Sequence, residues 1–195
     1  MFAALFRTAQ KLKFKFGLTQ TEGEVMKQVF IFGYFVLASI VSVIACAGEP
    51  GNFFEVSPGI YRSAQPAKAD FQDLKALGIK TIMDLNNDEN TLSMESKAAK
   101  KAGLNFISHP MSGFWSPEEA QVNSSLEILK DPNNLPILVH CKKGQDRTGL
   151  IVGLHRVYAD GWTPEKAYTE MLDMGFHKSL VPLDDYFKEV TGLDD

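Results

Sequence analysis

Residues 140–149 read His140-Cys141-Lys142-Lys143-Gly144-Gln145-Asp146-Arg147-Thr148-Gly149, and this stretch decides the fold. The apolar residues 137–139 before it predict a short buried strand, and residues 148–158 after it predict a helix. A loop that runs from a strand into a helix N-terminus presents its backbone N–H groups to an anion. In a parallel sheet such a loop lies at the carboxyl ends of the strands, where ligands bind. The stretch therefore predicts an α/β fold with an anion site in this loop.

The chain on either side of this stretch alternates short strands with helices. Further strands are expected within residues 53–62, as two pieces around the turn Ser57-Pro58-Gly59, and at residues 79–85 and 104–108. Helices are expected at residues 67–77 and 91–102, from Pro117 with Ser116 as N-cap, from Pro164 after the cap Thr163, and from Pro182. This alternation predicts a central, mainly parallel sheet flanked by helices.

The residue types in the loop fit phosphoryl transfer. Cys141 is the candidate nucleophile, because a helix N-terminus and nearby cations stabilise a thiolate. Arg147 offers a planar fork for two phosphoryl oxygens. His140 is expected to orient the backbone and stabilise the thiolate, and Thr148 to donate a hydrogen bond to the departing thiolate. The residues expected to line the phosphate site are Lys142, Lys143, Gly144, Gln145 and Arg147.

Three alternatives to a phosphatase loop fit parts of this pattern. Cys141 could be an inert buried cysteine, or the loop could bind phosphate without turnover. A sulfurtransferase of the rhodanese type also uses a cysteine loop, but Arg147 and Thr148 argue against it. Phosphoryl transfer by Cys141 needs no metal or other cofactor, and the spacing of the chain's metal-ligating residue types predicts no metal site.

Charge and cysteine content exclude some classes of protein. The 195 residues carry a net charge of −4, with five basic and two acidic residues in positions 1–47, so that positions 48–195 are clearly acidic. An acidic body argues against nucleic acid as a partner. The two cysteines, Cys46 and Cys141, lie in different contexts and predict no disulfide framework.

Residues 1–47 are expected to be a leader, and residues 48–195 the catalytic domain. Residues 29–47 carry no charge and follow Lys27, as in an export signal. Ala45-Cys46-Ala47 offers a cleavage site, residues 43–46 resemble a lipoprotein box whose Cys46 would carry lipid, and an uncleaved membrane anchor is the third possibility. Met26 is a more natural start than Met1 for a protein with an export signal, and the alternative is that residues 1–25 are a long cytoplasmic tail before an anchor. The leader predicts export, to the periplasm or to a membrane-anchored position.

The sequence resembles the protein tyrosine phosphatase superfamily, in its atypical dual-specificity branch of fungi, plants and bacteria. The resemblance rests on residues 140–149 and on Gly59-Ile60-Tyr61-Arg62-Ser63-Ala64-Gln65-Pro66, and covers about residues 53–192. It implies a sheet of four or five strands and a metal-free hydrolase of phosphoric monoesters. Relatives include inositol polyphosphate, phosphoinositide and phosphotyrosine phosphatases, so the expected partner is a phosphorylated small molecule or a phosphoprotein.

One departure from the family concerns the general acid. The family carries an Asp about thirty residues before the cysteine, but residues 109–119 contain no Asp. Glu118 and Glu119 are the acids there, and both also fit the favourable charge at a helix N-terminus. Asp146 within the loop is the preferred candidate acid, and an ion-pairing role that fixes the loop is its alternative.

The rim of the loop suggests the substrate class. Lys142 and Lys143 could bind additional phosphates, which favours inositol polyphosphates or similar small molecules over isolated phosphotyrosine, or they could be solvated surface lysines. Other candidate rim residues are His177, Lys178, Phe114, Trp115 and the segment Asn86-Asn87-Asp88-Glu89, for which packing or turn formation is the alternative.

Overall fold

The computed structural model describes residues 50–194 of the chain. The leader features predicted at residues 26–47 lie outside the described residues and stay predictions. Among residues 50–194, no helix has both the length and the apolar character needed to cross a membrane.

The described part contains five strands and six helices in alternation, as the sequence predicts. The strands are β1 (Phe54–Ser57), β2 (Ile60–Ala64), β3 (Thr81–Asp84), β4 (Asn105–Ser108) and β5 (Ile137–Cys141). The helices are α1 (Asp70–Ala76), α2 (Glu89–Ala102), α3 (Glu119–Lys130), α4 (Asp146–Tyr158), α5 (Pro164–Asp173) and α6 (Val181–Thr191).

The strands form one sheet in the order β1-β2-β5-β3-β4. Only β1 runs antiparallel to its neighbour, and the other four strands are parallel to one another. Their registers pair Ala64 with Cys141 and Asp84 with both His140 and Ser108, so four carboxyl ends meet at one edge. The predicted mainly parallel sheet of four or five strands is confirmed.

Each face of the sheet carries its own core. Helices α1 and α2 cover one face, where Phe71, Leu74 and Ala99 pack on Ile82 and Leu138. The other four helices contribute to the core on the second face, whose buried members include Met83, Val139, Cys141, Leu150 and Phe187. Because side chains alternate along a strand, successive residues of β5 point into different cores.

The observed helix starts lie within three residues of the predicted ones, and two of the differences bear on the site. Helix α3 begins at Glu119 with Glu118 as its N-cap, so the prediction that Ser116 caps a helix from Pro117 is wrong. The first helical hydrogen bonds run to the carbonyl of Glu118 rather than to that of Ser116. Helix α4 begins at Asp146, two residues before the predicted start, which places Arg147 within its first turn.

Candidate active site

Cys141 is the last residue of β5, a strand that lies between β2 and β3 in the sheet. It is 3% exposed and belongs to the core beneath α4. Five residues later, at Asp146, the chain enters α4, so the four-residue loop 142–145 connects a buried strand directly to a helix N-terminus. Backbone N–H groups in such a connection favour an anion, whether a thiolate or a phosphoryl group.

Gly144 allows the loop to approach the end of β2. Its φ is +69°, a conformation that L side chains rarely adopt, and a Cβ at this position would lie 2.4 Å from the carbonyl oxygen of Ser63. The loop is also tied to the segment after β2, because the Gln65 N–H donates to the Lys142 carbonyl at 3.3 Å. A glycine is therefore required here for steric reasons.

Arg62 lies beneath the loop and was not among the predicted site residues. Its side chain is fully buried, its Nη2 donates to the Gly144 carbonyl at 2.5 Å, and its guanidinium stacks on Phe54 at 5.3 Å. Burial lowers the pKa of Arg62 to about 10, while Glu170 and Cys141 act in the opposite direction. The feature of the sequence that could have indicated a role for Arg62 is a charged residue at a position of the short strand β2 that faces the core.

Arg147 is held at the mouth of the site by oxygens from two other loops. Its Nη1 donates to the carbonyls of Leu85 at 3.1 Å and Met111 at 3.2 Å, and its Nη2 donates to Asn86 Oδ1 at 3.2 Å. A longer contact joins Nη1 to Asn87 Oδ1 at 3.5 Å. The segment after β3 and the segment after β4 thus fix the direction of this guanidinium.

The segment Asn86-Asn87-Asp88-Glu89 divides between the site and the helix that follows. Asn86 and Asn87 face Arg147, as the sequence allowed. Asp88 is the N-cap of α2 and accepts from the Thr91 N–H at 2.8 Å, and Glu89 is the first residue of that helix.

Thr148 lies in the first turn of α4 with its side chain fully buried. Within residues 50–194 its hydroxyl has no hydrogen-bond partner. A buried hydroxyl without a partner is costly unless some state of the site uses it. This placement is compatible with the predicted donation to the thiolate.

His140 lies on the other face of the sheet from Cys141. Its neighbours on β5, Val139 and Cys141, belong to the core under α4, so the His140 ring shares the opposite face with Leu138. The ring is fully buried between Asp84 and Glu95. Its backbone carbonyl accepts from the Leu85 N–H at 2.9 Å, so His140 touches the site through the backbone.

Asp146 is connected to the loop between α5 and α6. Its Oδ1 accepts from the His177 N–H at 2.9 Å and lies 2.8 Å from His177 Nδ1. Gln145 packs against the same loop, since a Cβ on Gly175 would lie 2.5 Å from Gln145 Nε2. Of the two predicted rim residues in that loop, His177 therefore joins the site, whereas the Lys178 ammonium lies over the Tyr168 ring at 5.3 Å.

The loop from β4 to α3 lies against the site and carries two exposed aromatic residues. Phe114 and Trp115 are 75% and 76% exposed, and both backbone N–H groups donate to Ser112 Oγ at 3.1 Å. A Cβ on Gly113 would lie 3.7 Å from Arg147 Nε, which places this loop directly against the guanidinium.

The two acidic residues that follow this loop are exposed. Glu118 is the N-cap of α3, without a side-chain capping bond among the described residues. Glu119 lines a groove with Tyr158, Tyr186 and Val190 on the side of α4 and α6.

Lys142 and Lys143 are both exposed on the loop. The Lys143 carbonyl accepts from Asn52 Nδ2 at 3.1 Å, and Lys142 contributes to lowering the pKa of Asp88, after the stronger hydrogen bonds from Thr91. Both lysines therefore belong to the loop and have their side chains in solvent.

Comparison with known proteins agrees with this geometry. The family model described as "Tyrosine phosphatase family" matches residues 49–179. The chain is 34% identical over 120 residues to an inositol diphosphatase of rice (Oryza sativa subsp. japonica), covering 60% of this chain and 58% of the relative. It is 31% identical over 126 residues to the dual specificity protein phosphatase TpbA of Pseudomonas aeruginosa, covering 64% and 55%.

Solved structures give the same result. The core catalytic domain of the Saccharomyces cerevisiae PP-IP phosphatase Siw14, in complex with citrate, has a TM-score of 0.64 at 28% identity, covering 71% of this chain and 85% of that one. The crystal structure of TpbA has a TM-score of 0.62 at 28% identity, covering 73% and 85%.

A five-stranded α/β domain with a buried cysteine at a strand end and an arginine six residues later defines the class of cysteine-dependent phosphatase folds. The chain belongs to the tyrosine phosphatase family, in its atypical dual-specificity branch. It spans a little over half the length of the curated relatives it matches.

Proposed function

We propose that the protein is a cysteine-dependent phosphatase that hydrolyses phosphomonoesters through a phosphocysteine intermediate. The observation that carries this proposal is the position of Cys141 at the buried end of β5, followed within one loop by Arg147 in the first turn of α4. The nucleophile, the cationic clamp and the helix N-terminus thus converge where a phosphoryl group would lie.

The proposed reaction has two steps. The Cys141 sulfur attacks phosphorus and forms an S–P bond while the P–O bond to the leaving alcohol breaks. Arg147 and the loop N–H groups hold the non-bridging oxygens as negative charge redistributes. Water then attacks phosphorus, the S–P bond breaks, and inorganic phosphate leaves as the thiolate re-forms, with Thr148 as its hydrogen-bond donor.

The general acid that protonates the leaving oxygen is proposed to be Asp146. Glu118, the other acid considered, is an exposed N-cap residue at the start of α3. Asp146 lies in the first turn of α4, next to Arg147, and one of its carboxylate oxygens is already positioned by His177. This fixed carboxyl supports the acid role over that of Glu118.

We propose inositol polyphosphates or similar polyphosphorylated small molecules as the preferred substrates. Lys142 and Lys143 are exposed residues of the loop, where further phosphates of a bound substrate would find positive charge. Names of relatives from rice, Arabidopsis thaliana and Saccharomyces cerevisiae include inositol diphosphatases.

Phosphotyrosine is the second candidate substrate, and it is favoured by Phe114 and Trp115, which are exposed on the loop whose Gly113 lies against Arg147. Two aromatic rings at the mouth of a phosphate site can pack against a phenyl ring. A relative solved with phosphotyrosine has a TM-score of 0.61.

Hydrolysis of para-nitrophenyl phosphate tests the proposed activity. We expect turnover by the wild type, none by Cys141→Ser, and unchanged turnover by Cys46→Ser. Phosphate binding without turnover in the wild type would instead identify a non-catalytic phosphate-binding module. Release of phosphate from inositol hexakisphosphate and from phosphotyrosine peptides, compared as kcat/KM, then separates the two substrate classes.

We further propose that the protein acts after export, because an uncharged apolar segment precedes the domain. Within residues 50–194, Cys141 is the free cysteine, so no intramolecular partner there could trap it as a disulfide in an oxidising compartment. Fusing residues 1–60 to a reporter enzyme that is active only in the periplasm tests this, and a reporter that stays inactive contradicts it.

A further inference from the structure

Behind the sheet, on the face away from Cys141, three titratable side chains are completely buried together. Asp84 ends β3, His140 precedes the nucleophile on β5, and Glu95 comes from α2. The His140 Nδ1 lies 3.7 Å from Asp84 Oδ1, and its Nε2 lies 3.1 Å from Glu95 Oε2. The imidazole is therefore held between two carboxyl groups, one at each ring nitrogen.

This cluster is costly to bury. Asp84 Oδ2, both oxygens of Glu95 and both ring nitrogens of His140 have no hydrogen bond of good geometry within residues 50–194. Burial raises the pKa of the Glu95 carboxyl, and contact with His140 acts in the opposite direction. Burying an ionic group adds little to the free energy of unfolding compared with apolar packing. We therefore expect a role of this cluster other than stabilising the fold.

The cluster is connected to Arg147 through the residues that follow β3. Asp84 Oδ1 accepts from the Asn86 N–H at 2.8 Å, and Asn86 Oδ1 accepts from Arg147 Nη2 at 3.2 Å. In parallel, the His140 carbonyl accepts from the Leu85 N–H at 2.9 Å, and the Leu85 carbonyl accepts from Arg147 Nη1 at 3.1 Å. Two short routes thus run to Arg147 from the residues of the cluster, one from the Asp84 carboxylate and one from the His140 backbone carbonyl.

We propose that Asp84 and Glu95 are positioning residues that act through His140 and Asn86 to fix the guanidinium of Arg147. They hold the carboxyl ends of β3 and β5 in one register, so that Leu85 and Asn86 present their oxygens to Arg147. This inference rests on the proposed function, in which Arg147 binds the phosphoryl oxygens.

A metal ion is the competing occupant of this cluster. One ligand atom from each of the three side chains lies within 4.8 Å of the others, which is close enough to share an ion. However, the two carboxyl groups face different nitrogens of one ring, and a single ion binds only one of them. The geometry therefore favours a network of protein groups over a metal site.

The test uses Asp84→Asn and Glu95→Gln, which keep side-chain shape. The control is Asp184→Asn, a buried carboxyl that contacts Tyr168 and Lys188 in another part of the domain. At a temperature where all variants are folded, we expect kcat/KM to fall about 10- to 100-fold in Asp84→Asn and Glu95→Gln, the two network variants. The reason is that a small displacement of a group that binds the substrate lowers the rate strongly. The control should keep the wild-type kcat/KM. Network variants that match the control would overturn the proposal.

A double-mutant cycle separates positioning from a loss of stability. Asn86→Ala removes the amide that contacts Arg147 but keeps the backbone N–H that Asp84 binds. If Asp84 acts through Asn86, the effects of Asp84→Asn and Asn86→Ala on kcat/KM are less than additive. Fully additive effects would contradict the route.

Two further measurements keep the positioning role distinct from the proposed activity. Binding of inorganic phosphate in the Cys141→Ser background, measured by calorimetry, should weaken in the network variants and remain unchanged in Asp184→Asn. This binding can be measured even if the wild type hydrolyses nothing, an outcome that would defeat only the proposed function. Stoichiometric metal in the purified wild type that is absent from Glu95→Gln would overturn the positioning role.

Discussion

The carboxylate of Asp146 accepts a hydrogen bond from the backbone N–H of His177 at 2.9 Å, and the same oxygen lies 2.8 Å from His177 Nδ1. This contact joins the first turn of α4 to the loop before α6, across 31 residues of sequence. Asp146 is thus both a link between α4 and the loop before α6 and the proposed acid. Its two roles make different predictions.

Asp146→Asn should affect substrates according to their leaving groups. A poor leaving group such as an alkyl alcohol needs a proton, whereas para-nitrophenolate leaves without one. We expect kcat on an alkyl phosphate to fall about 100-fold, within the usual range of general acid catalysis, and kcat on para-nitrophenyl phosphate to fall much less.

His177→Ala is the matched control, because it removes the ring contact while keeping the Asp146 carboxyl. Its effect should be similar on both substrates. If Asp146→Asn also lowers both rates equally, Asp146 is a loop anchor and the acid lies elsewhere.

Gly144→Ala should abolish phosphate binding by displacing the loop. Its Cβ would lie 2.4 Å from the Ser63 carbonyl oxygen, in a backbone conformation that L residues rarely adopt. We expect kcat/KM to fall at least about 100-fold, since the loop N–H groups lose their alignment.

Gly103→Ala controls for the conformational cost alone. Gly103 also has a positive φ, +72°, but a Cβ there meets nothing within 4 Å. It should lose about 1–2 kcal/mol of stability and keep wild-type kcat/KM. Comparable activity loss in both variants would show that left-handed strain, not the contact with Ser63, is responsible.

Arg62→Met should lower activity although Arg62 lies beneath the site rather than in it. The substitution keeps an apolar stem but leaves the Gly144 carbonyl without its buried donor and removes the positive charge near Cys141. We expect kcat/KM on para-nitrophenyl phosphate to fall about 10- to 100-fold, less than the roughly 100- to 1000-fold loss that follows removal of a direct donor to an anion.

Arg156→Met is the corresponding control. Arg156 is also buried, but it pairs with Glu170 and Asp160 and lies over Trp162. It should lower thermal stability more than it lowers kcat/KM of the folded protein. Equal loss of activity in both variants would argue against a specific role for Arg62.

The free energy of unfolding should decrease as the pH is lowered, because of His155. Burial, the largest cause, lowers the pKa of this side chain below its ordinary value of 6.5. The unfolded chain therefore binds a proton that the folded protein does not, so the free energy of unfolding falls as pH falls below about 6.5. Urea denaturation between pH 5 and pH 8 (about the range in which histidine titrates) should show a shallower decline for His155→Gln. An unchanged slope would contradict this assignment.

The α/β fold could be predicted from sequence because its signals are local. Apolar runs, proline starts and glycine stops mark strands and helices from Phe54 to Thr191, and the structure follows them within a few residues. The misplaced start of α3 is a boundary error: Ser116 precedes a proline and has the chemistry of a cap, yet the helical hydrogen bonds begin at Glu118.

The nucleophilic loop could also be predicted, because its groups are contiguous in the chain. Cys141, Arg147 and Thr148 lie within eight residues, and a strand before them and a helix after them suffice to bring them together. His140 shows where contiguity misleads, since strand alternation directs its ring to the opposite face of the sheet from Cys141.

By itself, the sequence determined the class of the fold and the anion-binding loop, because both depend on neighbours along the chain. Only the tertiary structure decided what supports that loop. Arg62 reaches Gly144 across 82 residues, and Asn86 reaches Arg147 across 61. These contacts exist because β5 lies between β2 and β3, and strand order follows from packing on two separate cores rather than from any local pattern.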